Sequence, residues 1–175
     1  MAISKSKAGR IAIIGASGYG GLQLVKLINE HPNFEIASLN GERSAGKSWN
    51  ASNPFMKITA DKEITKSNID EIVELSDYAI LSLPNGLSSQ LTPLLLEKGV
   101  KVLDLSADYR FKSLDKWKQV YSKEASKYPR FDYELCEEAI YGLSEEFGRE
   151  ISRSRLIACP GCYPTSSLSL LIPFL

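Results

Sequence analysis

The sequence predicts an α/β fold, a doubly wound Rossmann-type parallel sheet, and three observations carry that expectation. Short apolar runs alternate with segments of helical periodicity, the connections are long enough for crossover helices, and a glycine-rich turn joins the first run to the first helix. Residues 10–14 read as a strand. Residues 19–30 place Leu22, Val25, Leu27 and Ile28 at helical spacing, and residues 34–39 form a second strand. An irregular Gly-, Ser- and Asn-rich stretch covers residues 40–57, with a short strand expected at 57–59. Residues 68–75 then read as a helix, 78–83 as a buried strand, 87–98 as a helix and 101–105 as another strand. The more polar region 108–150 offers helices at 114–126, 133–139 and 144–152, and residues 155–158 return to the sheet.

Composition narrows the function classes. The 175 residues, 43% hydrophobic, suit one compact domain, which would bury about 70% of its unfolded surface. Lys plus Arg and Asp plus Glu stand at 21 each, so no global field recruits nucleic acid or an anionic membrane. The longest apolar stretches, 11–15 and 168–175, are far shorter than a bilayer span, and the first ten residues are basic without the apolar core of a secretory signal. Cysteines at 136, 159 and 162, an odd number, fit free thiols in a reducing cytoplasm. The apolar end, 168–175, has no polar stop, which predicts that the chain is the front part of a longer protein.

The turn Gly15-Ala16-Ser17-Gly18-Tyr19-Gly20-Gly21 sits where a dinucleotide site belongs. Gly15 serves a tight turn, Gly18 lets backbone approach a pyrophosphate, and Gly21 permits close helix–strand packing; Ser17, Tyr19 and Gly20 share the site. The spacing is G-x-x-G-x-x-G, and an ordinary glycine turn would look similar. After the second strand, an acidic residue would suit NAD, whereas Arg43, Ser44 and Lys47 suit the 2′-phosphate of NADP; Glu42 keeps NAD open. Pro84-Asn85-Gly86 forms a further turn at the carboxyl end of a strand, where open α/β sheets bind ligands.

Near the C-terminus, Cys159-Pro160-Gly161-Cys162 breaks a strand and delivers Cys162 to the start of a helix expected from about residue 165. A helix start favours an anion, but by only about 0.3–1 kcal/mol, so a nucleophilic thiol needs a further helper. The pair is also a C-x-x-C, which leaves open a thiol–disulfide oxidoreductase or a reversible Cys159–Cys162 disulfide. It lacks the further ligands of a metal site. The only histidine, His31, follows the first helix, where a cation suits the helix dipole; it reads as structural.

Residues 15–21, Arg-Ser-Ala-Gly-Lys at 43–47, Leu-Pro-Asn-Gly at 83–86, Asp-Leu-Ser-Ala-Asp-Tyr-Arg at 104–110, Tyr-Gly-Leu at 141–143 and Pro-Gly-Cys-Tyr-Pro-Thr at 160–165 resemble the N-acetyl-γ-glutamyl-phosphate reductases of arginine biosynthesis. Aspartate-semialdehyde dehydrogenases share the chemistry but match these runs less well. The resemblance implies NADPH-dependent reduction of a small-molecule acyl phosphate to the semialdehyde through a thioester on Cys162. It implies Ser106 and Arg110 as contacts for the substrate phosphate or carboxylate, although Arg110 also fits a surface ion pair. It further implies an NADP-binding domain over 1–158, with 159–175 opening a catalytic and dimerisation domain that is otherwise missing. The full-length form would be a homo-oligomer. Cys159 stands where the family often has Asn, and the family's acid–base histidine belongs to the second half. The 175-residue chain is therefore expected to be an incomplete enzyme. A non-catalytic nucleotide-binding module stays open beside it.

Overall fold

The computed structural model describes residues 9–174. The reading of the first ten residues as carrying no export signal lies outside the described residues for 1–8, as does Leu175 of the apolar end. Two compact units divide the chain, residues up to 82 with 98–100, and residues 83–97 with 101 onward.

The first unit is built on β1 (Gly9–Ile14), α1 (Tyr19–Asn29), β2 (Phe34–Asn40), β3 (Lys47–Ser48), α2 (Trp49–Ser52), β4 (Glu63–Thr65), α3 (Ile69–Leu75) and β5 (Tyr78–Leu81). Its strand order is β3-β4-β2-β1-β5. The β4, β2, β1 and β5 pairings are parallel, while β3 runs antiparallel to β4. Ile11 to Ile14 are all buried, as expected for a parallel strand covered on both faces. From α1, Val25 and Ile28 reach the core; Leu27 does not, being 64% exposed. The Asn68 side chain caps α3 by accepting the N–H groups of Asp70 and Glu71.

The strand expected at 57–59 is absent. Asn50 explains this: its Oδ1 accepts the Ile58 N–H at 2.8 Å and its Nδ2 donates to the Ile58 carbonyl at 3.0 Å, so a side chain takes the bonds a neighbouring strand would have taken. The strand that pairs with β2 is instead β4, six residues later, with β3 outside it at the edge. His31 has the structural place read from the sequence: its Nδ1 accepts the N–H groups of Asn33 and Phe34, both at 3.1 Å, and so shapes the turn after α1.

The second unit carries α4 (Ser88–Glu97), β6 (Lys101–Asp104), α5 (Leu114–Val120), α6 (Ser122–Lys127), α7 (Tyr133–Glu138), β7 (Ile140–Tyr141), α8 (Ser144–Arg153), β8 (Leu156–Ala158) and α9 (Cys162–Leu171). β8 lies between β6 and β7 and is parallel to both. The helix expected at 114–126 breaks at Tyr121, which leaves helical geometry at φ −108°, ψ 51°. Beneath these helices lies a buried arginine. Arg130 pairs with Asp132 at 2.8 Å and sits between the rings of Tyr109 and Trp117, 4.8 and 4.4 Å from their centroids. Among the described residues, no helix is long and apolar enough to cross a membrane.

Candidate functional site

The glycine turn closes over the carboxyl end of β1. Gly15 has φ +87°, a conformation that favours glycine, and its N–H and that of Ala16 both donate to the Asn40 carbonyl at the end of β2. The Gly18 N–H returns to the Gly15 carbonyl at 3.1 Å, and α1 starts at Tyr19 without a side-chain cap. A helix begun this way leaves its first N–H groups for an anion. At Gly21 a Cβ would collide with the carbonyl oxygens of Gly15 and Ala16, so the helix approaches the turn more closely than any side chain allows. Ser17, Gly18 and Tyr19 are exposed and Gly20 is half-buried.

Beyond β2, the Gly41 N–H donates to the Thr65 carbonyl and the Gly46 N–H to the Ile64 carbonyl. These bonds fix a short 3-10 turn, Glu42–Ser44, against β4. Arg43 and Lys47 stay exposed and Ser44 half-buried. Glu42 is drawn aside, its Oε1 accepting the Ser67 N–H at 3.2 Å. The Ser17 hydroxyl lies beside Gly41, 3.0 Å from where a Cβ would stand. This rim therefore combines two cations with no partner among the described residues, hydroxyls and a diverted carboxylate. It fits a dinucleotide bearing a 2′-phosphate. A cavity of about 530 Å³, lined by Arg10, Ile28, Glu35, Ile36, Ile58 and Leu75 among others, has no cysteine in its lining, and Arg10 is already paired with Asp77.

In the second unit, Cys162 is the first residue of α9, three positions earlier than the sequence predicted. Pro164 is tolerated there because the first turn of a helix needs no N–H donors. Residues 159–161 form no turn: Gly161 is extended at φ −69°, ψ 162°. The C-x-x-C is thus drawn out and not folded back on itself, and all three cysteines are free thiols. Cys162 is exposed, Cys159 half-buried and Cys136 buried. Burial pushes both other thiols up to about 11; the Asp104 charge adds to the shift at Cys159, and Arg110 opposes it.

Arg110 makes no ion pair among the described residues. Its Nε donates to the Cys159 carbonyl and its Nη2 to the Leu105 carbonyl, each at 2.8 Å, while Nη1 lies against Gly161 and makes no hydrogen bond among the described residues. The Cys159 N–H in turn donates to the Asp104 carbonyl at 2.8 Å. Ser106 is buried, its hydroxyl donating to Asp104 Oδ2 at 2.7 Å and accepting the Asp108 N–H at 3.1 Å.

Asp104, Asp108 and Asn85 brace this corner, and the first two roles went unread in the sequence. Burial pushes the Asp104 carboxyl up to about 6; the hydroxyl and N–H of Ser106, bonded to it, pull against that shift and the Asp108 charge adds to it. Asp108 is also raised by burial, against the N–H groups of Gly86 and Ser89 and the Arg130 charge. Asn85 Oδ1 accepts the Ala107 N–H at 3.0 Å, leaving its Nδ2 as the free end of the amide; Pro84 is exposed and Gly86 buried with φ +88°. The repeated Asp-x-Ser-x-Asp spacing was the available signal, because alternate short polar residues at a strand end can bond one another's backbone.

Comparison with known proteins identifies the family. Residues 10–154 match the family described as semialdehyde dehydrogenase, NAD binding domain. N-acetyl-gamma-glutamyl-phosphate reductases of Prochlorococcus marinus are 85% identical (strain NATL1A) and 52% identical (strain MIT 9211) over the whole chain. The chain spans about half the length of these curated relatives, 49% in each case. Among solved structures, aspartate semialdehyde dehydrogenase II from Vibrio cholerae, complexed with ASA, aligns over 96% of this chain and 46% of its own, with a TM-score of 0.64 and 23% identity. Aspartate semialdehyde dehydrogenase with NADP from Candida albicans aligns over 96% and 47%, with a TM-score of 0.66 and 16% identity. At those identities the likeness establishes the fold, the α/β Rossmann-type sheet read from the sequence. With the family model matching most of its length, the chain belongs to the semialdehyde dehydrogenase NAD-binding domain family.

Proposed function

We propose that this chain is the dinucleotide-binding and thiol-bearing part of an NADPH-dependent reductase that converts N-acetyl-γ-glutamyl phosphate to N-acetylglutamate semialdehyde with release of phosphate. The observation that carries the reading is the exposed Cys162 thiol at the first position of α9, in a chain whose other two thiols are buried or half-buried and pushed up to about 11. Gly15, Ser17, Gly18, Tyr19, Gly20 and Gly21 would hold the pyrophosphate. Arg43, Ser44 and Lys47 would hold the 2′-phosphate, and Pro84, Asn85 and Gly86 the nicotinamide end. Glu42, occupied by Ser67, does not compete for the ribose, which favours NADP over NAD. Bound there, the cofactor supplies the hydride that takes the acyl carbon to the aldehyde level.

Cys162 attacks the acyl carbon as the thiolate. A carbon–sulfur bond forms, the carbon–oxygen bond to phosphate breaks, and phosphate leaves with the electron pair, giving a thioester. Arg110 holds the run before the thiol by the Cys159 carbonyl, and its Nη1 remains to meet the anionic end of the substrate. Ser106, engaged on both sides, braces the same corner. His31 is committed to a backbone turn, so no acid–base histidine comes from these residues. The segment 159–175 then opens a catalytic domain contributed by further chain, in a homo-oligomer working in a reducing cytoplasm where three free thiols persist.

The test is mass-resolved iodoacetamide alkylation at pH 7 combined with NADPH oxidation on the acyl phosphate. Cys162 alone should be modified, and the 175-residue chain should bind NADPH without steady turnover. Labelling dominated by Cys136 or Cys159 sinks the nucleophile assignment; steady reduction by this chain sinks the division of labour.

A further inference from the structure

We propose that Asp108 is a positioning residue for the bound dinucleotide, fixing the shape of the 84–86 turn from below without meeting a ligand itself. The inference rests on the reading of that turn as the contact for the nicotinamide end. Asp108 has no exposed surface, and both carboxylate oxygens are taken: Oδ1 accepts the Gly86 N–H at 2.7 Å and Oδ2 the Ser89 N–H at 2.9 Å. The residue is held from its own backbone as well. Its N–H donates to the Ser106 hydroxyl, and its carbonyl accepts Arg130 Nη1 at 2.6 Å. Arg130 is in turn clamped by Asp132 and the rings of Tyr109 and Trp117. One carboxylate thus ties the turn after β5, and the first turn of α4, to a rigid buried core.

What it ties down is a tight place that admits only glycine. Gly86 sits at φ +88° with the Tyr128 ring packed against it, and the Ser89 hydroxyl donates to the Gly86 carbonyl at 3.0 Å. Both backbone polar groups of Gly86 are therefore set by Asp108 and Ser89. The adjacent Asn85 amide is oriented by the Ala107 N–H, so its Nδ2 is the donor left to a ligand. A turn ordered before binding avoids the entropy of ordering it during binding, and that saving appears as affinity. Asp108→Asn keeps size and one acceptor oxygen but sets an N–H₂ against the second backbone N–H, releasing one of the two ties.

The experiment compares the wild-type chain with Asp108→Asn by fluorescence titration, using NADPH and adenosine 2′,5′-bisphosphate as separate probes, with Cys162 alkylation as a third readout. The affinity for NADPH should fall about ten-fold. Affinity for the adenosine bisphosphate, assigned to residues 43–47, and the alkylation rate should stay as in the wild type. A merely structural role would move all three, and that outcome overturns the proposal, as does unchanged NADPH affinity. If Asp108→Asn does not fold, Ser89→Ala, which removes only the hydroxyl bond to the Gly86 carbonyl, should show the same selective loss in smaller degree; no selective loss there overturns it equally. A wild-type chain that fails to bind NADPH sinks the reading of the turn and this inference together, whereas normal binding by both variants sinks this inference alone.

Discussion

Asp104 carries a charge that the fold opposes. It has no exposed surface, and its carboxyl is pushed from 3.8 up to about 6 by burial, so the folded state holds its proton where the unfolded chain has lost it. Between those two values the native state binds more protons than the unfolded state, and stability falls as pH rises through the window; above it the carboxylate costs on the order of 3 kcal/mol. Asp77, Asp132 and Glu138 are shifted down and act in the opposite sense, losing stability as pH falls, so the raw curve mixes both. The difference between wild type and Asp104→Asn isolates the first. In urea unfolding, that difference should shift in favour of the variant from pH 4 to pH 6 and then level off; a difference that is constant with pH removes Asp104 as the cause. Sequence revealed Gly15 and Gly21, because a positive φ and a collision with two carbonyls admit only one residue type. It did not reveal Arg110's carbonyl contacts. The same guanidinium could have served a surface ion pair, and its partner at Cys159 is 49 residues away.

Elements with a repeating pattern were legible, and the loop between β2 and α3 was not. Helices α1, α3 and α4 and strands β1, β2 and β5 fall within a few residues of where periodicity placed them, because each buries a face whose spacing is written in the apolar residues. The segment from Trp49 to Lys62 follows different rules. Its side chains supply many of its bonds: Trp49 Nε1 donates to the Met56 carbonyl at 2.8 Å, Asn50 bonds both polar groups of Ile58, and Asp61 accepts from the Ser48 hydroxyl and the Asn50 N–H. No period records such bonds, so an apolar Ile58 flanked by Lys and Thr resembled a strand. If Asn50 is the organiser, Asn50→Ala leaves two part-buried backbone groups of Ile58 without partners and should cost about 1–3 kcal/mol in urea unfolding. A loss below about 0.5 kcal/mol, the range of an ordinary surface change, would show that the loop is held by Trp49 instead.

At the scale of the whole molecule, stability is uneven, and a helix that buries no residue carries the thiol. Helix α9 has ten residues and none is buried; Tyr163, Leu170 and Leu171 are 85%, 67% and 53% exposed. A helix shorter than about 12 residues is marginal in water unless a face of it packs. By contrast, α4 buries Thr92, Leu95 and Leu96. The amides of residues 166–171 should therefore exchange with deuterium on the order of a hundred-fold faster than those of 92–96, tracking local opening more than global unfolding. Protection of α9 equal to that of α4 would refute this. The functional consequence follows from the position of Cys162: the Arg110–Cys159 tie fixes the approach to the thiol, but the helix dipole behind it persists only while α9 is formed. In a chain extended to the length of its relatives, a segment packed on the apolar side chains of α9 would raise protection there, and Cys162 alkylation at pH 7 should change with it. If protection rises while the alkylation rate stays constant, the helix start contributes nothing to the thiol, and its activation must come wholly from groups on the added segment.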